Sequence, residues 1–170
     1  MDILKAATDW AKAEIFSSQF FILFGVIFIV ATVGFWQLGK TEVARAYVVP
    51  TLVAGMLLLV IGSGLLFSNK SRLSNFPNAY NNDSSAFVEG EIERAENTIK
   101  EYLTIVFAAI PVIIIIAALI FVFLDRPIWR AISSTTIAMM VVILLVDNNA
   151  NARIEAYHEQ LVSVEKDFNK

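Results

Sequence analysis

Four long stretches of the chain are apolar and almost free of charge. They cover residues 18–38, 47–68, 102–124 and 128–146, and Arg130 is the only charged residue within them. A helix needs about 20 apolar residues to cross a bilayer. Since the bilayer core holds no water, each stretch must satisfy its own backbone hydrogen bonds and so form a helix. The sequence therefore predicts an all-α polytopic membrane protein built as a four-transmembrane-helix bundle.

The composition agrees with the membrane class and narrows the set of partners. The chain is 57% hydrophobic and 17% charged, whereas a soluble domain carries about 25% charged residues. A net charge of −3 gives a nucleic-acid partner no electrostatic support. Without cysteine, disulfides and thiolate chemistry are excluded. The lipid bilayer is the partner that this composition requires, and no motif predicts a cofactor.

The distribution of basic residues predicts an orientation. Four spans place both termini on one side of the membrane, and that side carries nine of the 13 lysine and arginine residues. By the positive-inside rule, we expect both termini to be cytoplasmic, in a plasma or inner membrane.

The polar segments before and between the spans suggest distinct structures. If residues 2–16 form a helix, their polar and apolar side chains fall on opposite faces. This pattern predicts an amphipathic helix at the membrane interface that leads into the first span. The segment Asn69–Asp83 is rich in asparagine and serine, and Pro77 disfavours a helix interior, so we expect a loop there. Asp83 then offers an N-cap for a new helix.

Two apolar seams with heptad spacing continue beyond the third and fourth spans. They predict helical extensions over residues 84–101 and 147–168 that pack antiparallel as a cytoplasmic hairpin. The first seam consists of Val88, Ile92, Ala95, Ile99, Tyr102 and Val106, and the second of Ala150, Ile154, Tyr157, Leu161, Val164 and Phe168.

Glycines and one proline interrupt the apolar spans. Pro111 lies within the third span and should kink it, because proline removes one hydrogen bond of the helix. Small residues let membrane helices approach closely. The candidates for such contacts in the first two spans are Gly25, Gly34, Gly55, Gly62 and Gly64.

Hydroxyl side chains in the fourth span suggest a polar path. Ser133 and Thr136 lie three residues apart and could line a channel assembled from several copies. The alternative is that these hydroxyls return hydrogen bonds to carbonyls one turn back. The spans contain no Asp, Glu, His or Lys, which argues against a proton relay.

Polar residues crowd the end of the fourth span. The cluster at this predicted cytoplasmic mouth consists of Asp147, Asn148, Asn151, Glu155 and His158. Such groups could attract a cation or bind a polar ligand, and they are also ordinary residues for the passage from membrane to water.

A Glu-x-x-His spacing within this cluster raises the question of a metal site. Helical bundles with two-metal centres use that spacing twice, together with further carboxylates. Glu155 and His158 supply it once, and the chain has a single histidine. The acidic stripe of Glu89, Glu93 and Glu96 could add oxygens. A solvated helix face with short-range ion pairs is the favoured interpretation, so no metal is predicted.

These observations favour binding over catalysis. The first hypothesis is a small membrane protein that binds a protein partner, or another copy of itself, through the cytoplasmic hairpin. The second is a homo-oligomeric channel or passive transporter. The third is a membrane enzyme with a carboxylate and histidine site at the cytoplasmic mouth.

Overall fold

The computed structural model describes residues 3–168, with side chains to residue 166, and consists entirely of helices over that range. Four helical rods are long and apolar enough to cross a membrane, as the sequence predicts, and their arrangement is consistent with a four-helix bundle. Their elements in chain order are α1 (Ile3–Leu38), α2 (Glu42–Ala46), α3 (Val48–Asn82), α4 (Ser84–Glu101), a π-helical segment (Tyr102–Ala109), α5 (Ile110–Phe123) and α6 (Pro127–Phe168).

Helices α1 and α3 lie closely together through the apolar half of the molecule. A Cβ atom added to Gly25 or Gly55 would come within 3.0 Å of the other glycine's carbonyl oxygen. A Cβ atom on Gly62 would lie 2.9 Å from the backbone nitrogen of Ile22. Gly34 and Gly64, in contrast, face open space. Three of the five glycines singled out in the sequence therefore mark the close contact between the two helices.

The polar ends of the four rods share a second core. We call this part of the molecule the base; it comprises residues 3–17, 69–101 and 147–168. The beginning of α1 and the end of α6 both contribute to this core, so the two ends of the described chain lie at the same end of the bundle. The buried members of the core are Ile3, Ala7, Trp10, Ala11, Phe76, Phe87, Val88, Ala95, Ile154, Tyr157 and Leu161.

The prediction of a loop over Asn69–Asp83 is wrong. Helix α3 continues to Asn82 with Pro77 inside it. Phe76 is buried in the base core, and Leu73 and Tyr80 pack against that core at helical spacing. This packing outweighs the cost of a proline in a helix, which is about 3 kcal/mol. Asp83 caps the next helix as predicted, since its Oδ1 accepts a hydrogen bond from the Ala86 nitrogen at 2.9 Å.

The N-terminal residues also differ from the interfacial helix expected over 2–16. Residues 3–16 are the first turns of the continuous helix α1. Their apolar face, with Ile3, Ala7 and Trp10, is covered by the other helices of the base. The two-helix hairpin expected from the heptad seams is accordingly one part of a four-helix base. This apolar face of α1 packs against other helices of the protein, and its burial from water stabilises the packing.

Pro111 lies near the start of α5, directly after the π-helical segment. The pyrrolidine ring lacks an N–H and clashes with the carbonyl four residues earlier. A wider π turn accommodates both effects and is a known cause of helix bending. The structure thus places a π-helical segment before Pro111, and the kink itself stays a prediction.

Helix α5 has few neighbours among the described elements. It packs against α6 and the π-helical segment that precedes it, and none of its Cα atoms lies within 8 Å of a Cα atom of α1 or α3. Only Ile110 and Ala117 of its residues are buried. The apolar half is therefore open between α5 and the pair formed by α1 and α3.

A cavity between the apolar spans and the base

A cavity of about 370 Å³ lies where the apolar spans meet the base. This volume falls within the range of small-molecule sites, roughly 300–1,000 Å³. Towards the spans it is lined by Phe21, Ile61, Leu65, Ile105, Val106 and Ile143. Towards the base it is lined by Trp10, Glu14, Asn69, Arg72, Arg94, Thr98, Glu101, Tyr102 and Asp147. Each of the four rods contributes apolar residues to the part of the wall near the spans and polar residues to the part near the base.

Two arginines form a basic side of the cavity, and they differ in their partners. The Nε and Nη2 atoms of Arg94 donate to the two carboxylate oxygens of Glu91 at 2.9 and 2.6 Å. Arg72 donates only to Asn69 Oδ1, at 2.9 Å, and has no carboxylate within 4.0 Å in the described part of the chain. Burial lowers the pKa of Arg72 and the nearby charge of Arg94 lowers it further, while the charges of Glu91 and Glu14 act in the opposite direction. Arg72 is thus a half-buried cation without a carboxylate at ion-pair distance among the described side chains.

Two carboxylates form an acidic side. Glu14 Oε1 accepts hydrogen bonds from Arg153, whose Nε atom lies 3.1 Å away, and Arg153 Nη2 also donates to Ser17 Oγ at 2.7 Å. Burial raises the pKa of Glu14 even though Arg153 acts in the opposite direction. Asp147 is the first residue after the apolar stretch 128–146. Burial raises the pKa of Asp147 to about 7, and the charge of Glu14 adds to the shift.

Asp147 differs from Glu14 because no described side chain pairs with it. Glu14 has its ion pair with Arg153, with nitrogen and oxygen 3.0 Å apart. Asp147 is half-buried, and among residues 3–166, whose side chains are described, it makes neither a side-chain hydrogen bond nor a salt bridge. Arg72 and Asp147 are therefore half-buried groups of opposite charge in the cavity wall that lack an ion pair, whereas Glu101, which also lines the cavity, is exposed.

A buried network supports the cavity wall from the base. The Tyr157 hydroxyl donates to Glu91 Oε2 at 3.0 Å, and burial together with Glu91 raises the pKa of Tyr157. The Trp10 ring stacks on Tyr157 with ring centroids 5.4 Å apart. The Arg94 guanidinium lies 4.3 Å from the centre of the Trp10 ring. Arg94 is thus fixed by an ion pair and a cation–π contact.

The residues predicted at the mouth of the fourth span do not form one site. Asp147 lines the cavity, whereas Asn148 and Glu155 are exposed. Asn151 Nδ2 donates to Glu155 Oε1 at 2.8 Å along the surface of α6. His158 Nε2 lies 3.7 Å from Glu96 Oε1, beyond hydrogen-bonding distance. Only Asp147 of this cluster contributes to the cavity.

The acidic stripe lies on the outer surface of α4. Glu89, Glu93 and Glu96 are exposed, and the contact of Glu96 with His158 is the one link from the stripe to α6. Among the side chains described for residues 3–166, no group of three or more histidine, aspartate and glutamate residues is placed to hold a metal ion.

The hydroxyl residues predicted to line a polar path are placed in different surroundings. Ser133 is 2% exposed, and its Oγ has no hydrogen-bond partner in the described structure. Thr136 lines a separate, mainly apolar groove of about 280 Å³ between α3 and α6. Their neighbour Ser134 bonds to the Tyr47 hydroxyl at 3.0 Å. The channel hypothesis stays a prediction.

Sequence reasoning missed Glu14 and Glu91, although their spacing carries a signal. Glu14 follows Ala11 by three residues and precedes Ser18 by four, and both neighbours are buried. Glu91 has the same relation to Val88 and Ala95 on α4. An ionisable residue in register with a buried seam points inward and requires a partner. Arg94 and Arg153 are those partners.

Comparisons with known proteins found no match to this chain. No protein-family model matches the chain, and neither a curated protein nor a solved structure matches it. The function of the cavity therefore has to follow from the geometry and charge of its own residues.

Proposed function

We propose that the chain is a membrane protein that acts by binding an amphiphilic molecule from the bilayer in this cavity. The observation that carries the proposal is the change from apolar to charged residues along every helix that lines the wall. An amphiphile has the complementary arrangement, with an apolar chain beside the spans and a polar head beside the base. Basic pockets between membrane helices are suited to lipid head groups.

The packing of α5 supports entry from the side. No Cα atom of α5 lies within 8 Å of a Cα atom of α1 or α3, and most large side chains of α5 are exposed, so the apolar half is open between these helices. The cavity wall includes Ile105 and Val106 of the π-helical segment directly before α5, and Ile61 and Leu65 of α3. A chain-bearing ligand could therefore reach the cavity from the lipid phase without breaking the base core.

Binding fits the cavity better than catalysis. The Thr98 hydroxyl, a candidate nucleophile, donates to the Arg94 carbonyl oxygen at 2.9 Å. A nucleophile requires a base within hydrogen-bonding distance, and no described residue fills that role for Thr98. Arg94 and Glu14 are held by ion pairs, as is typical of groups that fix the shape of a site.

Quenching of Trp10 fluorescence tests the proposal. Trp10 lines the cavity, so Trp36→Phe and Trp129→Phe substitutions would leave it as the only tryptophan. In vesicles containing phospholipid brominated on the first carbons of the chain, we expect Trp10 to be quenched. An Ile61→Phe substitution should fill the apolar side and reduce quenching, whereas Val60→Phe on the lipid-exposed neighbour should not.

A variant that retains only Trp36 provides the positive control, because Trp36 is 70% exposed in the apolar half. Full quenching of Trp36 with none of Trp10 would reject a lipid-accessible cavity. Equal quenching of Trp10 in the Ile61→Phe and Val60→Phe variants would show that the lipid lies elsewhere.

A second candidate function is binding of a protein partner, or of another copy, through the outer surface of α4. The heptad seams that first suggested it are used within the base core, so its support is the exposed stripe of Glu89, Glu93 and Glu96. Replacing all three by lysine should change the mass of the detergent-solubilised particle or release a bound partner. An unaltered particle mass and unaltered partners would count against this function.

We also propose that the base and both termini face the cytoplasm. The support is the excess of basic residues on the side that carries the base. Membrane-impermeant labelling of single cysteines at positions 89 and 40 of this cysteine-free chain would test it. Labelling of position 89 from outside intact cells would reverse the proposed orientation.

A further inference from the structure

We infer that the ligand is a zwitterionic phospholipid with a primary amine in its head group, whose phosphate binds Arg72 and whose ammonium binds Asp147. The inference rests on the proposed function, because it names the chemistry of the molecule in the cavity. It starts from the two unpaired groups of opposite charge that share one wall.

Arg72 is the group suited to the phosphate. A guanidinium can donate two parallel hydrogen bonds to phosphate oxygens. Arg94 already donates two such bonds to Glu91, whereas Arg72 donates only to the neutral amide of Asn69. An anion from the ligand would supply the charge that Arg72 lacks.

Asp147 is the group suited to the ammonium. Its carboxyl group has no partner among the side chains described for residues 3–166, while nearby Glu14 is held by Arg153. A primary ammonium has three N–H donors and a compact charge. It can therefore form an ion pair with an ionised Asp147.

The charges of the wall match such a head group. Arg72 and Asp147 both line the cavity, together with Glu14, which is paired with Arg153. A head group that spans from Arg72 to Asp147 would place its phosphate and its ammonium beside groups of opposite charge. An anionic amphiphile would leave Asp147 unpaired, and a cationic one would leave Arg72 unpaired.

The test compares lipids that share their acyl chains and differ in their head groups. The full-length protein in detergent is titrated with short-chain phosphatidylethanolamine, phosphatidylglycerol or phosphatidylcholine, and retained lipid is counted by native mass spectrometry. We expect phosphatidylethanolamine to bind about tenfold more tightly than the other two, the effect of one charge-assisted hydrogen bond. Choline has no N–H donor, and glycerol carries no positive charge.

Two variants assign the two ends of the head group. Asp147→Asn should remove the preference for phosphatidylethanolamine while phosphatidylglycerol still binds. Arg72→Gln should weaken all three lipids by about tenfold. The control variants Glu155→Gln and Lys70→Gln change exposed charges on the same helices and should leave the ranking unchanged.

The possible failures are distinct. If the wild-type protein binds the three lipids equally, the inference of a zwitterionic ligand with a primary amine is wrong, while the proposal of an amphiphile site still holds. A preference that survives Asp147→Asn would overturn the assignment of the amine. Absence of any bound lipid, together with an unquenched Trp10, would overturn the proposed function itself. The ranking by the wild-type protein decides the inference even if a variant fails to fold.

Discussion

The base and the apolar half use the same four helical rods but are held together differently. The base buries large aliphatic side chains completely, among them Ile3, Val88 and Leu161. The apolar half buries a smaller core that includes Phe21 and Leu58, while large side chains such as Val30, Val60 and Val122 are more than 60% exposed. There, the close contact between α1 and α3 also involves glycines and a hydrogen bond between Thr32 and Thr51, with their Oγ1 atoms 2.9 Å apart.

The difference follows from the solvent on each side. In water, burying apolar surface stabilises a helix pair, so the heptad seams of the base close on one another. In lipid, apolar side chains gain little by leaving a medium as apolar as themselves, and small residues and polar contacts determine the packing. The cavity lies at the junction of these two regimes, where neither kind of packing fills the space.

The largest expected effect is a truncation in the base core. Leu161 is fully buried, so Leu161→Ala should destabilise the protein by about 2–5 kcal/mol. Leu145 lies on the same helix and is 64% exposed. Leu145→Ala should cost less than about 0.5 kcal/mol. Chemical denaturation in detergent would measure both, and equal losses would contradict the division of the molecule into two regimes.

The next effect concerns the buried network of the base. Glu91→Ala would leave Arg94 without its ion pair and the Tyr157 hydroxyl without its acceptor. Breaking a buried pair in this way costs about 3–5 kcal/mol, and partial exposure of Arg94 should reduce the loss to about 2–3 kcal/mol. Glu93→Ala, on the exposed side of α4, is the matched control. If both variants unfold at the same denaturant concentration, the network adds no stability.

A smaller effect is expected from crowding in the apolar half. The added Cβ of Gly62→Ala would meet the backbone of Ile22 at 2.9 Å, whereas that of Gly64→Ala would meet nothing within 4 Å. Overpacking costs about 1–3 kcal/mol, and an alanine at the open position should be neutral or slightly stabilising. Thermal unfolding in detergent would compare them. A Gly62→Ala variant as stable as the wild type would show that α1 and α3 can separate freely.

The smallest effect depends on pH. The pKa of Asp147 is about 7 in the folded protein against an ordinary value of 3.8. The folded state therefore binds the proton more tightly, and its stability falls as pH rises from about 4 to 7. Because Asp147 is partly exposed, solvent screening should reduce this electrostatic effect to about 1–1.5 kcal/mol. Asp147→Asn should therefore leave the melting temperature unchanged at pH 4 and raise it by roughly 2–6 °C at pH 8. Glu155→Gln should show no such change, and a shift confined to pH 4 would reverse the sign of this account.

Much of the helical architecture could be predicted from the sequence because lipid leaves few alternatives. The four apolar stretches had to be helices, and the seams through Val88 and Ile154 pack in the base as their spacing predicts, with Phe168 outside the described side chains. The predictions that were wrong concern segments whose structure is determined by tertiary contacts. Pro77 is held within α3 by the burial of Phe76, and the first turns of α1 are covered by protein rather than lipid.

The candidate site was harder to predict than the fold. Asp147 was selected as part of a polar cluster on one helix, yet its companions in the cavity come from the other three rods. Arg72 lay in a segment expected to be a loop, so its position on α3 could not be inferred. Local spacing identifies which face of a helix points inward. It does not show which inward faces leave a gap where they meet.

The most direct test of an amphiphile site is the lipid retained by the Ile61→Phe and Val60→Phe variants. Ile61 lines the cavity, and Val60 beside it is 69% exposed. Native mass spectrometry after detergent exchange should find a phospholipid bound to the wild-type protein and to the Val60→Phe variant, and much less on Ile61→Phe. Equal lipid on both variants, or none on the wild-type protein, would contradict the account.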